Sequence, residues 1–185
     1  MDTLEQYEVA LDALRRLQDG NNRYINSTAA SGDVSPERRL YTFQNGQKPY
    51  AVIVGCSDSR VIPESIFSAG IGDLFVIRVA GNVIDNYQLG SIEYAVDHLG
   101  CKLVLVLGHT GCGAVGAALG ETDGYVKTIT DEIKCAILGE HDADKASVLN
   151  VNNSVAKIIK CITREDVIVK GALYHTESGV VDFFD

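Results

Sequence analysis

Residues 51–60 read AVIVGCSDSR, and residues 103–114 read LVLVLGHTGCGA. Each opens on a short apolar run, Ala51 to Gly55 and Leu103 to Leu107, and passes directly into a loop crowded with Cys, His, Asp and Arg. A strand with no polar face must be buried on both sides, which is the mark of a parallel sheet covered by helices. Two further runs of this kind stand at Leu74–Val79 and Asp166–Leu173. Helical patterns fill the intervals. Pro63 opens one that Gly70 closes, residues 88–99 end at Gly100, residues 127–138 end at Gly139, and residues 144–160 form another. Repeated strand–helix order predicts an α/β fold with a mainly parallel central sheet flanked by helices.

Outward from this centre the signals weaken. Residues 4–19 place Leu4, Tyr7, Leu11, Leu14 and Gln18 at helical spacing, and Gly20-Asn21 is expected to stop that helix. Residues 26–49 are polar and read as a loop around a short helical piece near Pro36–Leu40; Tyr174–Phe184 reads as a turn and a final hairpin-like strand. The whole of 1–185 is expected to be one domain, with a helical arm over 1–45 and the α/β core over 46–185. At 185 residues, 46% hydrophobic and 22% charged, the chain has material for a sizeable core without disulfides. The net charge of −9 argues against a nucleic-acid partner, and no apolar stretch reaches the ~18 residues of a membrane span. Met1 to Tyr7 lacks the basic-then-apolar pattern of a secretory signal. Five scattered cysteines, an odd count, suit reduced thiols in a cytoplasm.

The two loops lie at carboxyl ends of parallel strands, where open α/β sheets bind ligands. If the chain winds outward from the first strand to the second and then returns to add the third on the other side, Cys56 faces His109 and Cys112 across the switch point. Two thiolates and an imidazole match a borderline-soft ion such as zinc, and three protein ligands leave a fourth position open, the pattern of a catalytic site. Cys112 also opens a helix expected over Cys112–Leu119, whose amino end favours a thiolate. Asp58 and Arg60 stand beside the first cysteine; a bidentate contact would keep Asp58 ionised and aimed to accept a hydrogen bond from zinc-bound water or hydroxide. Cys101, Cys135 and Cys161 are read as packing residues, and His98, His141 and His175 as ordinary polar groups. A Cys-x5-Arg phosphatase loop fails at Ile62, and a Walker loop fails for want of a lysine after the glycines around His109.

CSDSR followed by GHTGCGA, with His109 lying 53 residues after Cys56, resembles the β-class carbonic anhydrases. The likeness extends over Ala13–Tyr24, Gln47–Pro49, Val61–Asn82, Gly90–Val96 and Tyr174–Phe184. It implies a zinc enzyme that interconverts carbon dioxide and bicarbonate by attack of zinc-bound hydroxide, with Cys56, His109 and Cys112 as ligands and Asp58–Arg60 as the orienting dyad. It implies a parallel core of strand order 2-1-3-4 with an added edge strand, and a homodimer or homotetramer whose amino-terminal helix lies on the neighbouring subunit. Gln47 matches a glutamine that hydrogen-bonds bicarbonate in the plant-like branch. Phe75 and Tyr94 match residues lining a small apolar pocket, part of it from the dimer partner, and Gly113 offers a backbone N–H to the same ligand. A regulated branch, in which the aspartate itself takes the fourth zinc position, tends to carry tryptophan three residues before the first cysteine. Here that residue is Ile53, so the open form is expected. Val79 departs from an asparagine common at its position, and Thr110-Gly111 from the more usual serine and variable residue. The same fold also serves carbonyl sulfide and carbon disulfide hydrolases, and a zinc-holding homologue without catalysis is a third reading.

Overall fold

The computed structural model describes residues 3–27 and 32–184, with the side chains of Thr3 and Leu4 left aside. The helical-face position expected for Leu4 and the stretch 28–31 of the expected loop therefore lie outside the described residues. In chain order the elements are α1 (Thr3–Ile25), α2 (Pro36–Asn45), β1 (Ala51–Gly55), α3 (Pro63–Ile66), β2 (Leu74–Arg78), a 3-10 turn (Ala80–Asn82), α4 (Asn86–Asp97), β3 (Leu103–His109), α5 (Gly113–Ala118), α6 (Val126–Ile137), α7 (Ala143–Cys161), β4 (Ile168–Tyr174) and β5 (Val181–Phe183). The sheet order is β2-β1-β3-β4-β5, parallel except for β5, which pairs antiparallel to β4. This is the expected parallel 2-1-3-4 core with its edge strand.

Every residue of β1 and β3 is buried, and alternation explains why none is polar before the last. Ile53, Leu103, Leu105 and Leu107 face Ala13, Leu17 and Phe67 from α1 and the α3 region. Val52, Val54, Val104 and Val106 face Ile92 and Val96 of α4 and Val151 and Ile158 of α7. Helices cover both faces, so neither phase of the period-two pattern meets water. On the second face α7 sits unusually close. A Cβ added at Gly108 of β3 would come 2.5 Å from Val151 Cγ2, and one at Gly171 of β4 2.7 Å from Val151 Cγ1. These two glycines make the notch that admits Val151.

Several boundaries differ from expectation: α3 ends at Ile66 rather than near Gly70, and the larger differences have physical reasons. Gly20-Asn21 does not stop α1, which runs on to Ile25. Gly20 is a close-approach residue, since a Cβ there would lie 2.0 Å from the Phe67 carbonyl oxygen. Asn21 is buried, donates through Nδ2 to the Ile66 and Gly179 carbonyls at 3.2 and 2.8 Å, and accepts from Val181 N–H at 2.9 Å. The helical piece at Pro36 extends to Asn45 with no buried side chain; it is capped by Ser35 and tied down by Arg38, which donates to the Ile71 carbonyl and to Asp73. β4 starts at Ile168 rather than Asp166, because Asp166 pairs with Lys102 and Arg164 outside the ladder. α5 begins at Gly113, with Cys112 as the residue that precedes it. Among the described residues no helix is long and apolar enough to cross a membrane.

Candidate metal centre

β1 and β3 are parallel neighbours in a register that sets Gly55 beside Leu107. The residue after β1 is Cys56, and β3 ends on His109, so the two emerge at the same edge of the sheet. The loop after β3 turns at Gly111, whose φ of +64° is left-handed, and returns Cys112 to the same place. One ligand atom from each of Cys56, His109 and Cys112 lies within 4.8 Å of the others, and the two sulfurs are 4.0 Å apart. All three side chains are buried.

The chemistry of this cluster is that of a cation site. His109 Nδ1 stands 3.0 Å from the Thr110 carbonyl, an acceptor only, so Nδ1 carries the proton and Nε2 is left with a lone pair. That Nε2 is buried and has no hydrogen-bond partner. A buried lone pair without a donor is costly in an apo protein and is what a metal ligand looks like. Cys56 Sγ accepts the Cys112 thiol and the backbone N–H groups of Asp58 (3.4 Å) and Gly81 (3.3 Å). The Cys112 hydrogen bond, chiefly, holds the Cys56 thiol well below its usual range against the opposing effect of burial. Cys112, as donor to Cys56 and itself buried, is pushed the other way. A second thiolate in this space needs a cation beside it, and a divalent ion supplies that. Two thiolates and a neutral imidazole fit zinc in donor type and number.

Asp58 is held rigidly beside the cluster. Its Oδ1 accepts the Arg60 backbone N–H and Nε–H, both at 2.9 Å, and its Oδ2 accepts Arg60 Nη2–H at 2.7 Å. Arg60 also donates to the Gly111 carbonyl at 3.0 Å, tying the first loop to the second. The fork keeps the Asp58 carboxyl far below the ordinary carboxylate range. Asp58 Oδ2 comes within 3.9 Å of His109 Nε2, near the centre without joining it, since both oxygens are engaged by Arg60.

The remaining sequence-derived candidates fall in two places. Gly113 sits at the first position of α5 next to Cys112, with open space where a side chain would be. Gln47, Phe75 and Tyr94 are elsewhere. Gln47 is exposed and precedes β1, at the end of the strand opposite Cys56. Phe75 pairs with Val52, three positions or roughly 10 Å of strand before the end that carries Cys56. Tyr94 of α4 lies 6.2 Å from Phe75, ring to ring, and is 48% exposed. No one chain brings these three to its own cluster.

Cys101 is buried and donates to the Pro49 carbonyl, and burial pushes its thiol up to about 11, as suits a packing residue. Cys135 and Cys161 are exposed on α6 and α7, which corrects their reading as packing groups. His98 stacks on Tyr94, and His175 pairs with Asp182 in the terminal hairpin. Two residues went unread in the sequence. Arg78, the last residue of β2, donates to the Cys56 and Asp58 carbonyls at 3.0 and 2.7 Å and so holds the first loop. A lone arginine closing an apolar strand was its only signal. Asn150 of α7, buried, donates to the Gly81 carbonyl, and nothing local marked it.

Comparison with known proteins agrees with this geometry. Residues 51–181 match the family model described as "Carbonic anhydrase". The chain belongs to the β-carbonic anhydrase family. It is 38% identical over 188 residues to a carbonic anhydrase of Mycolicibacterium smegmatis, covering 92% of this chain and 91% of that one. It is equally similar to carbonic anhydrase 2 of Mycobacterium tuberculosis, over 90% of this chain and 89% of the relative. Among solved structures, a Coccomyxa β-carbonic anhydrase in complex with acetazolamide superposes with a TM-score of 0.70 at 28% identity, over 92% of this chain and 86% of the other. One of two tetrameric β-carbonic anhydrases from Sordaria macrospora gives 0.72 at 25% identity, over 80% and 87%. β-Carbonic anhydrases use zinc, the ion that the Cys56, His109 and Cys112 donor set fits.

Proposed function

We propose that Cys56, His109 and Cys112 hold zinc and that the protein catalyses the reversible hydration of carbon dioxide to bicarbonate and a proton. The observation that carries this is the buried, unpartnered Nε2 of His109 facing two thiols, beside a carboxylate whose oxygens are both fixed by one arginine. When bound, zinc supplies Lewis acidity that makes hydroxide available at about neutral pH. The protein's own groups do the rest. His109 keeps its proton on Nδ1 against the Thr110 carbonyl, which fixes the ring and points Nε2 inward. Asp58, kept ionised by Arg60, accepts a hydrogen bond from the attacking hydroxyl and so aims its lone pair at carbon. The Arg60 fork also keeps that carboxylate from turning to the ion, so the open form follows, in keeping with Ile53 buried where the regulated branch carries tryptophan. The Gly113 N–H, at a helix start, is a donor for the anionic product.

Gln47, Phe75 and Tyr94 complete the substrate pocket in a neighbouring subunit's site, as a homodimer or homotetramer would place them, with α1 lying across the partner. The exposed ring of Tyr94 next to Phe75 supports this reading. We take the chain as a single domain. Five free thiols favour a reducing cytoplasm.

The test is a metal analysis of the purified protein alongside stopped-flow assays with carbon dioxide and with carbonyl sulfide. One zinc per chain and fast hydration are expected. Faster turnover of the sulfide, or of carbon disulfide, would assign the site to the linear sulfur substrates. Full zinc without turnover of any of them would leave a zinc-holding homologue.

A further inference from the structure

We infer that Asn150 of α7 is a positioning residue for the metal centre, acting through Gly81 on the sulfur of Cys56. The inference rests on the reading of Cys56 as a metal ligand and adds how its sulfur is held.

The chain of contacts is short and mostly buried. Asn150 is 1% exposed, and its Nδ2 donates to the Gly81 carbonyl at 2.7 Å. The N–H of the same Gly81 donates to Cys56 Sγ at 3.3 Å. Only the φ and ψ of Gly81 lie between the two groups, so fixing the carbonyl fixes the direction of the N–H. Those angles are 67° and 16°, in the left-handed region, and Asn82 follows with φ of 44°. Glycine enters that region freely, but Asn82 does so at a cost that its neighbours must offset. The neighbours that hold them come from α7 at helical spacing: Asn150 on the Gly81 carbonyl, Ser154 Oγ on the Asn82 carbonyl at 3.2 Å, and Lys157 Nζ on the Ile84 carbonyl at 2.6 Å. A side chain at Gly81 would crowd the turn, because a Cβ there would stand 2.7 Å from Ile133 Cδ1 and 3.2 Å from Ala114 Cβ. The notch that Gly108 and Gly171 open for Val151, the residue after Asn150, is what brings this helix within reach.

An N–H aimed at a ligating sulfur withdraws charge from it and orients its lone pairs, which sets how strongly and at what angle it binds a metal. Of the three α7 donors, Asn150 alone acts on the residue that makes this bond. Ser154 and Lys157 hold the turn as a whole.

The test uses the full-length protein with its metal exchanged. In protein loaded with 113Cd, the Gly81 amide proton should show scalar coupling to cadmium across the Cys56 sulfur. Asn150→Leu, which is close to asparagine in size and carries no donor, should abolish that coupling, shift the thiolate-to-metal charge-transfer band of the cobalt(II) protein, and weaken zinc binding about tenfold. Ser154→Ala should leave coupling and band as in the wild type. Wild-type protein that binds cadmium on two thiolates without coupling to Gly81 would overturn the inference, as would an Asn150→Leu protein with unchanged coupling and band. Where Asn150→Leu does not fold, Asn150→Ala, which also removes the donor and favours the helix, gives the same readout. Cobalt protein with no thiolate charge-transfer band in the wild type would instead sink the metal reading on which the inference stands.

Discussion

Strands β1 and β2 carry functional residues at both ends, and the two ends are built differently. At the carboxyl end, Cys56 is buried, its sulfur receives two backbone N–H groups, and the loop behind it is held by Arg60 and Arg78. Among the described residues the buried side-chain atoms without a hydrogen-bond partner are the Nε2 of His109, which faces the cluster, and the Nδ2 of Asn82 in the turn beside it. At the amino end, Gln47 is exposed, Tyr94 is half-exposed, and Phe75 is half-buried. On the proposed function, the comparison teaches that the metal centre is complete in a single chain while the substrate pocket is not. One folds with the sheet, and the other is proposed to assemble by association.

The largest effect that tests this contrast is at the complete end. Cys56→Ser replaces a thiolate with a neutral hydroxyl, and bound zinc should fall to roughly a tenth of an equivalent or less, with hydration lost. Mass spectrometry under native conditions reads this directly; a variant that keeps a full equivalent of metal would remove Cys56 from the ligand set. Asp58→Ala comes next. Zinc should stay, because the carboxylate is not among the converging donors, while turnover falls by about a hundredfold through loss of orientation. Unchanged rates from pH 6 to 9 would leave Asp58 no orienting role.

The incomplete end is tested by combining lesions. Gln47→Ala and Asp58→Ala should each be impaired alone. Co-expressed, they form mixed dimers in which one site carries both lesions and the other carries neither, so about a quarter of wild-type activity should return. If Gln47 served its own chain's site, every site would carry one lesion and no activity would return.

How far the sequence reached follows the same division. β1 and β3 were legible because burial on both faces leaves a run such as Leu103–Leu107 with no polar position, and the loop residues Cys56, Asp58, His109 and Cys112 follow those strands directly. The extent of α1 was not legible. Gly20 is there for the approach of the Phe67 carbonyl, a contact that no local pattern records, and by pattern alone it reads as a stop. α2 buries no side chain and so offered no periodicity. Arg78 and Asn150 act on backbone carbonyls 20 to 22 and 69 residues away, and a side chain that bonds to a distant backbone leaves no mark in the residues beside it. The exposed positions of Cys135 and Cys161 were missed because a cysteine on a helix says little about which face it occupies.

The smallest effect lies at the amino end of β3 and β4, where an ion network does structural work only. Asp166 accepts from Lys102 and Arg164, and Arg164 reaches on to Asp97. Lys102 first, then Arg164, lowers the Asp166 carboxyl from its ordinary 3.8 to about 2. A carboxyl lowered on folding stabilises the protein above its unfolded value and loses that contribution as pH falls through the folded one. Asp166→Asn should therefore lower the melting temperature by a few degrees near neutral pH, and the gap to wild type should close between about pH 4 and pH 2. Zinc content and turnover should not move, because the network and the metal centre sit at opposite ends of the sheet. A variant that lost metal along with stability would show the two ends to be coupled through β3, and the division drawn between them would fail.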